Sequence, residues 1–84
     1  MYYVYLLKST RYDWKYIGVT ADLRLRVQQH NSGEVFSTKA RAPYKLIYYE
    51  AYASRADARA REYRLKHHSQ AKELLLAQVA SSLQ

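Results

Sequence analysis

The chain begins with a pattern that is typical of a β-hairpin. Residues 3–7 are a run of strand-forming side chains bounded by polar residues, which predicts a first strand. Alternation places Tyr3, Tyr5 and Leu7 on one face of that strand and Val4 and Leu6 on the other. After a polar loop, residues 15–18 predict a second short strand that pairs antiparallel with the first. Gly18, at its end, allows a close approach of another group to the backbone.

A helical period follows the hairpin. Leu23 and Val27 are four residues apart and predict a helix over about residues 21–31 with one face toward the core. Thr20 is the expected N-cap, since its hydroxyl can accept a free backbone N–H. Gly33 is expected just after the helix, where a left-handed backbone conformation is common.

The same helix also carries residues suited to chemistry. Arg26 and His30 are four residues apart, so they share a face beside the apolar stripe. That face lies close to the end of the strand that carries Tyr16. A cation, an imidazole and a phenol are thus held close together on a helix and a strand. We expect a functional site there.

Residues 34–43 are polar and basic and show no periodicity. Two interpretations stay open for this segment: a flexible connection, or a substrate-facing loop whose Lys39 and Arg41 contact phosphates. Residues 44–52 then form the strongest strand pattern in the chain. This run is almost continuously apolar or aromatic, so we expect it to be the central strand or to be buried on both faces.

Two further helices are predicted after that strand. Ser54 and Asp57 resemble a capping box that opens a helix ending near residue 66. Ser69 is the expected N-cap of a third helix over about residues 70–80, with Ala71, Leu74, Leu75 and Val79 as its apolar face. The order β-β-α-β-α-α predicts a single α+β domain over residues 1–84: a small, three-stranded, mainly antiparallel sheet flanked by about three helices.

Composition narrows the class of partner. The 84 residues include 14 Lys or Arg against 7 Asp or Glu, a formal charge of +7. That charge favours a polyanion such as nucleic acid, although a solubilising surface gives the same balance. The ten tyrosines suit strands, phosphate contacts and base stacking alike. With no cysteine, no signal-peptide pattern and no apolar run long enough to cross a membrane, we expect a cytoplasmic protein without membrane contact.

Glu62 is the residue that packing explains least. It lies four residues after Ala58 and three before Leu65, on the face expected to turn inward. A carboxylate there needs a cation, and two interpretations stay open: an ion pair with an arginine such as Arg26 or Arg61, or a divalent metal such as Mg²⁺.

Taken together, these residues resemble the GIY-YIG nuclease superfamily. Tyr3-Val4-Tyr5 and Tyr16-Ile17-Gly18 look like its two signature tripeptides, although the first is Tyr-Val-Tyr instead of Gly-Ile-Tyr. Arg26 and His30 match its helix arginine and following histidine, and residues 60–66 match the segment that holds its metal-binding glutamate. Residues 31–33, 38–39 and 45–50 also resemble small stand-alone members. The asparagine that longer members carry after the glutamate helix has no counterpart here.

The resemblance implies an endonuclease that hydrolyses DNA with Mg²⁺ or Mn²⁺ as cofactor and with low sequence specificity. Tyr5, Tyr16, Arg26, His30 and Glu62 are then the catalytic residues, with Glu62 as the metal ligand. The alternative is a catalytically weak nucleic-acid-binding module with the same fold. A third possibility is a protein-interaction domain that uses Leu76 and Leu83 on the third helix. The substrate, the tyrosine that acts as base and the oligomeric state stay open.

Overall fold

A computed structural model describes all 84 residues. The strands are β1 (Tyr2–Ser9), β2 (Lys15–Thr20) and β3 (Tyr44–Tyr52). The helices are α1 (Leu23–Asn31), α2 (Arg55–His67) and α3 (Ser69–Gln78). Two short 3-10 turns, at Lys39–Arg41 and Ala80–Leu83, complete the chain. The predicted α+β class and the order of the six main elements are confirmed. No helix is long and apolar enough to span a membrane.

The sheet has the order β2-β1-β3, and both pairings are antiparallel. The central strand is therefore β1, and the prediction that residues 44–52 form the centre is wrong. Residues Val4 to Leu7 of β1 are all buried, whereas β3 is an edge strand that buries only Tyr44. The apolar run in β3 is rich in tyrosine, whose ring can lie half-exposed on an edge strand. A run of strand formers thus marks a strand without fixing its place in the sheet.

One face of the sheet, the aliphatic face, packs against α2 and α3. Its cluster is formed by the buried side chains of Val4, Leu6, Ile17, Ala58, Leu65, Leu75 and Val79. The third helix is rotated relative to the prediction, since Leu74 is 67% exposed. Leu76 and Leu83, expected on an exposed interaction surface, pack against this cluster instead. That overturns the surface on which a protein-interaction role was expected.

The other face, the aromatic face, lies under α1. Its buried members are Tyr5, Leu7 and Tyr44, and Leu23 and Val27 of α1 pack against them. Trp14 and Tyr16 complete the cluster from the β2 side. Because neighbouring residues of a strand point to opposite faces, β1 supplies both clusters from one short segment.

Helix ends follow local hydrogen bonding. The N-cap of α1 is Asp22, whose carboxylate accepts the Leu25 N–H at 3.1 Å, and not Thr20 as predicted. Thr20 lies at the end of β2, where its hydroxyl oxygen accepts the Asp22 N–H at 3.1 Å. The predicted cap at Ser54 is confirmed, whereas Ser69 is the first residue of α3 and makes no capping bond.

Candidate functional site

Tyr5 occupies the middle of the aromatic face. It lies opposite Gly18 on β2, and its side chain is 1% exposed. A Cβ atom added to Gly18 would lie 2.6 Å from Cζ of Tyr5 and 3.0 Å from the Tyr16 ring. Gly18 therefore provides the space in which the phenol of Tyr5 lies beside Tyr16. The close approach expected at this glycine comes from the tyrosine of the neighbouring strand.

A chain of hydrogen bonds runs from Tyr5 into α1 and the following loop. The Tyr5 hydroxyl lies 2.8 Å from Nε2 of His30, and Nδ1 of His30 lies 2.7 Å from Oγ1 of Thr38. Thr38 in turn donates to the Val35 carbonyl at 3.4 Å. With its proton used there, the threonine oxygen accepts from Nδ1–H, so Nε2 accepts from Tyr5. All three side chains of the Tyr5–His30–Thr38 chain are at most 1% exposed.

Burial keeps this chain uncharged. Desolvation, helped by the positive charge of Arg26, lowers the pKa of His30 to about 4. Desolvation also raises the pKa of Tyr5 to about 12, with smaller raising effects from Tyr16 and Glu62 and an opposing effect from Arg26. At neutral pH the imidazole and the phenol are both neutral. A neutral imidazole whose Nε2 accepts the Tyr5 hydroxyl is positioned to take the proton of that hydroxyl.

Arg26 supplies the fixed positive charge beside this chain. It lies four residues before His30 on α1, and its positive charge opposes the burial-raised pKa of Tyr5 and adds to the burial-lowered pKa of His30. It donates to the Gln29 side chain at 3.2 Å and forms no ion pair with any carboxylate. An unpaired guanidinium beside a buried neutral pair is available to an anionic ligand.

Tyr16 lies close to both the buried chain and Lys66. Its ring centroid is 5.2 Å from that of His30 and 6.3 Å from that of Tyr5. Nζ of Lys66 also lies over this ring, 5.4 Å from its centroid. Tyr16 is only partly buried, so of the two tyrosines it has the greater access to solvent.

Glu62 forms its ion pair with a lysine and not with one of the arginines expected from the sequence. Its side chain is 20% exposed, and its carboxylate pairs with Lys66, one helical turn later, at 3.2 Å. Arg61 pairs with Glu50 on the aliphatic face at 2.7 Å. No group of three or more His, Cys, Asp or Glu side chains forms a metal-binding cluster. A single carboxylate still suits Mg²⁺, which keeps several waters and takes its remaining ligands from substrate phosphates.

Lys39 and Arg41 do not join the buried chain. Nζ of Lys39 lies 5.0 Å from the ring centroid of Phe36, and the guanidinium of Arg41 lies 4.6 Å from that of Trp14. Phe36 is 85% exposed. These two cation–aromatic pairs flank Thr38, so the segment carries charge and aromatic surface outside while its threonine is held inside.

Two residues whose roles the sequence does not indicate, Asn31 and Tyr44, hold this loop in place. The Tyr44 hydroxyl donates to the Thr38 carbonyl at 2.6 Å. Asn31 bonds both backbone groups of Tyr44, accepting its N–H at 2.6 Å and donating to its carbonyl at 3.2 Å. None of these contacts has a periodic pattern. Phe36, the one phenylalanine of the chain, stands in an otherwise polar loop, and that contrast was visible in the sequence.

Comparisons with known proteins identify the relatives of the whole chain. The family model of the GIY-YIG catalytic domain matches residues 1–74. A UPF0213 protein of Staphylococcus aureus is 36% identical over 89% of this chain and 92% of its own length. A UPF0213 protein of Haloquadratum walsbyi is 31% identical over 98% of this chain and 92% of its own. The solution structure of a UPF0213 protein from Bacillus halodurans superposes with a TM-score of 0.59, at 28% identity, over 98% and 89% of the two chains.

Proposed function

The chain belongs to the GIY-YIG family, a family of nucleases, and on that premise we propose that it is a divalent-metal-dependent endonuclease that hydrolyses phosphodiester bonds in DNA. The observation that carries the proposal is the buried Tyr5–His30–Thr38 chain beside an unpaired Arg26. A core that only stabilises the fold does not require a buried neutral imidazole that is hydrogen-bonded at both nitrogens beside an unpaired guanidinium. Such groups are typical of functional sites.

Tyr5 and His30 together are proposed to accept the proton of the attacking water. The water gives its proton to the Tyr5 oxygen while the Tyr5 proton passes to Nε2 of His30, so neither group has to ionise first. The imidazolium that forms is disfavoured by Arg26 until a phosphate adds negative charge next to both. Proton transfer is thereby favoured when substrate is bound.

Arg26 and Tyr16 are proposed to hold the phosphate. Arg26 is permanently charged and stabilises the charge that develops on the phosphate oxygens in the transition state. Tyr16, the more exposed tyrosine, donates a hydrogen bond to a phosphate oxygen. This divides the roles of the two tyrosines, a question that the sequence left open.

Glu62 is the proposed metal ligand, with Mg²⁺ or Mn²⁺ as the cofactor. A bound ion polarises the phosphate and stabilises the leaving oxygen. In the structure Lys66 neutralises Glu62, so this lysine has to release the carboxylate when the metal binds. Substrate phosphates offer Lys66 another anion to which it can move.

The segment around Thr38 is proposed to bind the nucleic-acid strand. Lys39 and Arg41 supply charge for phosphates, and Phe36 supplies an exposed ring on which a base can stack. The bond between Thr38 and His30 fixes this surface relative to the proposed catalytic groups. The cytoplasmic location and the absence of strong sequence specificity stay predictions.

The test is a cleavage assay on labelled single-stranded, duplex and branched DNA with Mg²⁺, Mn²⁺ or EDTA. We expect metal-dependent cleavage that falls about 1,000-fold or more in Glu62→Gln, equivalent to about 4 kcal/mol in activation free energy. Arg26→Gln is expected to lose about 100- to 1,000-fold. The matched controls are Glu73→Gln and Arg59→Gln, exposed residues on α3 and α2 that are expected to retain full activity.

The second candidate is a nucleic-acid-binding module without efficient cleavage. It is favoured by the existing Glu62–Lys66 ion pair and by the absence of a ready-made metal cluster. Salt-sensitive binding with no cleavage of any substrate, unchanged in Glu62→Gln, would establish this candidate over the nuclease.

A further inference from the structure

A second positively charged feature adjoins the proposed catalytic groups and shares Tyr16 with them. It is a cleft of about 180 Å³ lined by Lys15, Tyr16, Ile17, Lys66 and Lys72. The three lysines come from three separate elements: the first residue of β2, the last turn of α2 and the beginning of α3. We call it the lysine cleft. Nothing in the spacing of these lysines along the sequence indicates that they converge.

The charges of the lysine cleft are incompletely balanced. Lys15 pairs with Asp13 at 3.5 Å, but the Asp13 side chain is 92% exposed, and such a pair contributes little. Lys66 pairs with Glu62 at 3.2 Å, and Lys72 forms no ion pair. Three lysines thus line a small space that no carboxylate lines, and the repulsion among their charges is relieved by an incoming anion.

Lys72 has a further feature that packing does not explain. It lies four residues into α3, whose first turn has no acidic residue and whose N-cap makes no side-chain hydrogen bond. A cation near the N-terminus of a helix is unfavourable, because the free N–H groups there carry partial positive charge. Lys72 is exposed. The position therefore disfavours a lysine on stability grounds alone.

We propose that the lysine cleft is a second phosphate-binding subsite. It holds the backbone phosphate that lies next to the cleaved phosphate on the same DNA strand. The inference rests on the proposed nuclease function and adds to it a phosphate contact in the lysine cleft. The ring of Tyr16 lies 5.2 Å from that of His30 and 5.4 Å from Nζ of Lys66, so successive phosphates of one strand can reach both groups. Lysine suits this role, since it binds phosphate as a point charge without fixed geometry.

The subsite also explains how Glu62 becomes available. A phosphate in the lysine cleft offers Lys66 an anion in place of the Glu62 carboxylate. The strand and a metal ion would then bind with positive cooperativity, because the strand would take Lys66 and the metal would take Glu62 from the same ion pair.

The experiment compares Lys72→Ala and Lys15→Ala with Lys45→Ala, an exposed lysine on the edge strand β3 that does not line the cleft. Affinity for a short fluorescent single-stranded DNA is measured over a range of salt concentrations with EDTA, so that cleavage does not intervene. We expect Lys72→Ala to weaken binding about five- to tenfold and to reduce the slope of log Kd against log salt by about 0.7. Lys45→Ala is expected to leave that slope unchanged.

A second measurement locates the contact on the strand. The substrate carries an uncharged methylphosphonate on one side or the other of the cleaved linkage, and kcat/KM is measured with Mg²⁺. We expect one of the two replacements to reduce cleavage by the wild-type protein, and to reduce cleavage by Lys72→Ala much less, because the contact is already lost. Equal losses in the two proteins, or an unchanged salt slope in Lys72→Ala, would overturn the subsite. If the wild-type protein cleaves no substrate, the nuclease proposal fails, while the salt slopes still decide whether the cleft binds phosphate.

Discussion

The two faces of the sheet are built from the same strands and differ in what they bury. The aliphatic face encloses Val4, Leu6 and their partners from α2 and α3 in an apolar cluster, and the Glu50–Arg61 ion pair on that face is only partly buried. The aromatic face encloses Tyr5 and Tyr44 with His30 and Thr38, whose polar atoms are all hydrogen-bonded.

This difference indicates a division of labour within a small chain. Apolar burial contributes stability in proportion to area and tolerates exchange among similar side chains. A buried polar chain contributes little net stability, and each lost partner leaves an unsatisfied group in a dry environment. The aliphatic face therefore stabilises the fold, and the aromatic face holds a hydrogen-bonded arrangement in a single geometry.

Removing a side chain from the aliphatic face tests the comparison most strongly. Leu65 is 1% exposed in the centre of that cluster, so Leu65→Ala is expected to lower the free energy of unfolding by about 3 kcal/mol. Proposed nuclease activity, measured well below the melting temperature, is expected to change less than about twofold. Urea denaturation provides the measurement. The control is Leu74→Ala, an exposed leucine of α3 expected to change stability by less than about 0.5 kcal/mol. Comparable losses in both variants would contradict the assignment of the core.

Gly18→Ala is expected to damage both stability and the proposed site. The added methyl group overlaps the Tyr5 ring, which is enclosed and has no free space to enter. We expect a loss of about 2 kcal/mol in unfolding free energy. We also expect the Tyr5–His30 hydrogen bond to be weakened and its proton to exchange faster with solvent. Thermal denaturation and the NMR resonances of the His30 ring measure the two effects.

Tyr5→Phe in the Gly18→Ala background is the control for this overlap. Removing the hydroxyl relieves part of the clash, so the double variant is expected to lose less than the sum of the two single losses. Strict additivity would show that the methyl group and the phenol do not compete for space.

Acid is expected to act on the aromatic face before the aliphatic one. The pKa of His30 is lowered by burial and by Arg26 to about 4, so between pH 6.5 and 4 the unfolded chain binds a proton that the folded chain does not. Stability is therefore lost as pH falls through that window, by about 2 kcal/mol at pH 5 relative to pH 7. Urea denaturation at a series of pH values measures this loss.

The matched variants for the acid effect are His30→Gln and His67→Gln. The first is expected to abolish the dependence between pH 6.5 and 4, and the second, at an exposed position at the end of α2, is expected to retain it. Burial opposes ionisation of Glu50, but hydrogen bonds from Tyr48, Tyr52 and Arg61 outweigh it and lower its pKa, so its effect begins only at lower pH. A pH profile unchanged in His30→Gln would show that this histidine is not buried neutral.

The smallest expected effect on stability concerns the exposed loop beside Thr38. Phe36→Ala removes a ring that is 85% exposed, so stability is expected to change by less than about 0.5 kcal/mol. Affinity for single-stranded DNA is expected to fall about tenfold, since stacking on an aromatic side chain contributes about 1–3 kcal/mol per base. Fluorescence anisotropy measures the affinity, with Leu74→Ala as the control. Unchanged affinity in Phe36→Ala would remove this ring from the proposed binding surface.

Much of the fold was accessible from local patterns. Alternation in residues 3–7 placed Tyr5 and Val4 on opposite faces, and the four-residue spacings of α1 placed Arg26 and His30 together. Ser54 was identified as a cap because its hydrogen bond closes within three residues. The resemblance to GIY-YIG nucleases, which the family model bears out, selected the residues now proposed as the site.

The tertiary structure alone decided the relations between distant segments. It made β1 the central strand, paired Glu62 with Lys66 instead of an arginine, and brought Thr38 to His30. It also gathered Lys15, Lys66 and Lys72 around one cleft. The sequence by itself determined periodicity, capping and residue chemistry, because these depend on neighbours within one or two turns. Strand order and the partners of buried polar groups depend on how all the elements pack at once, and no local pattern records that choice.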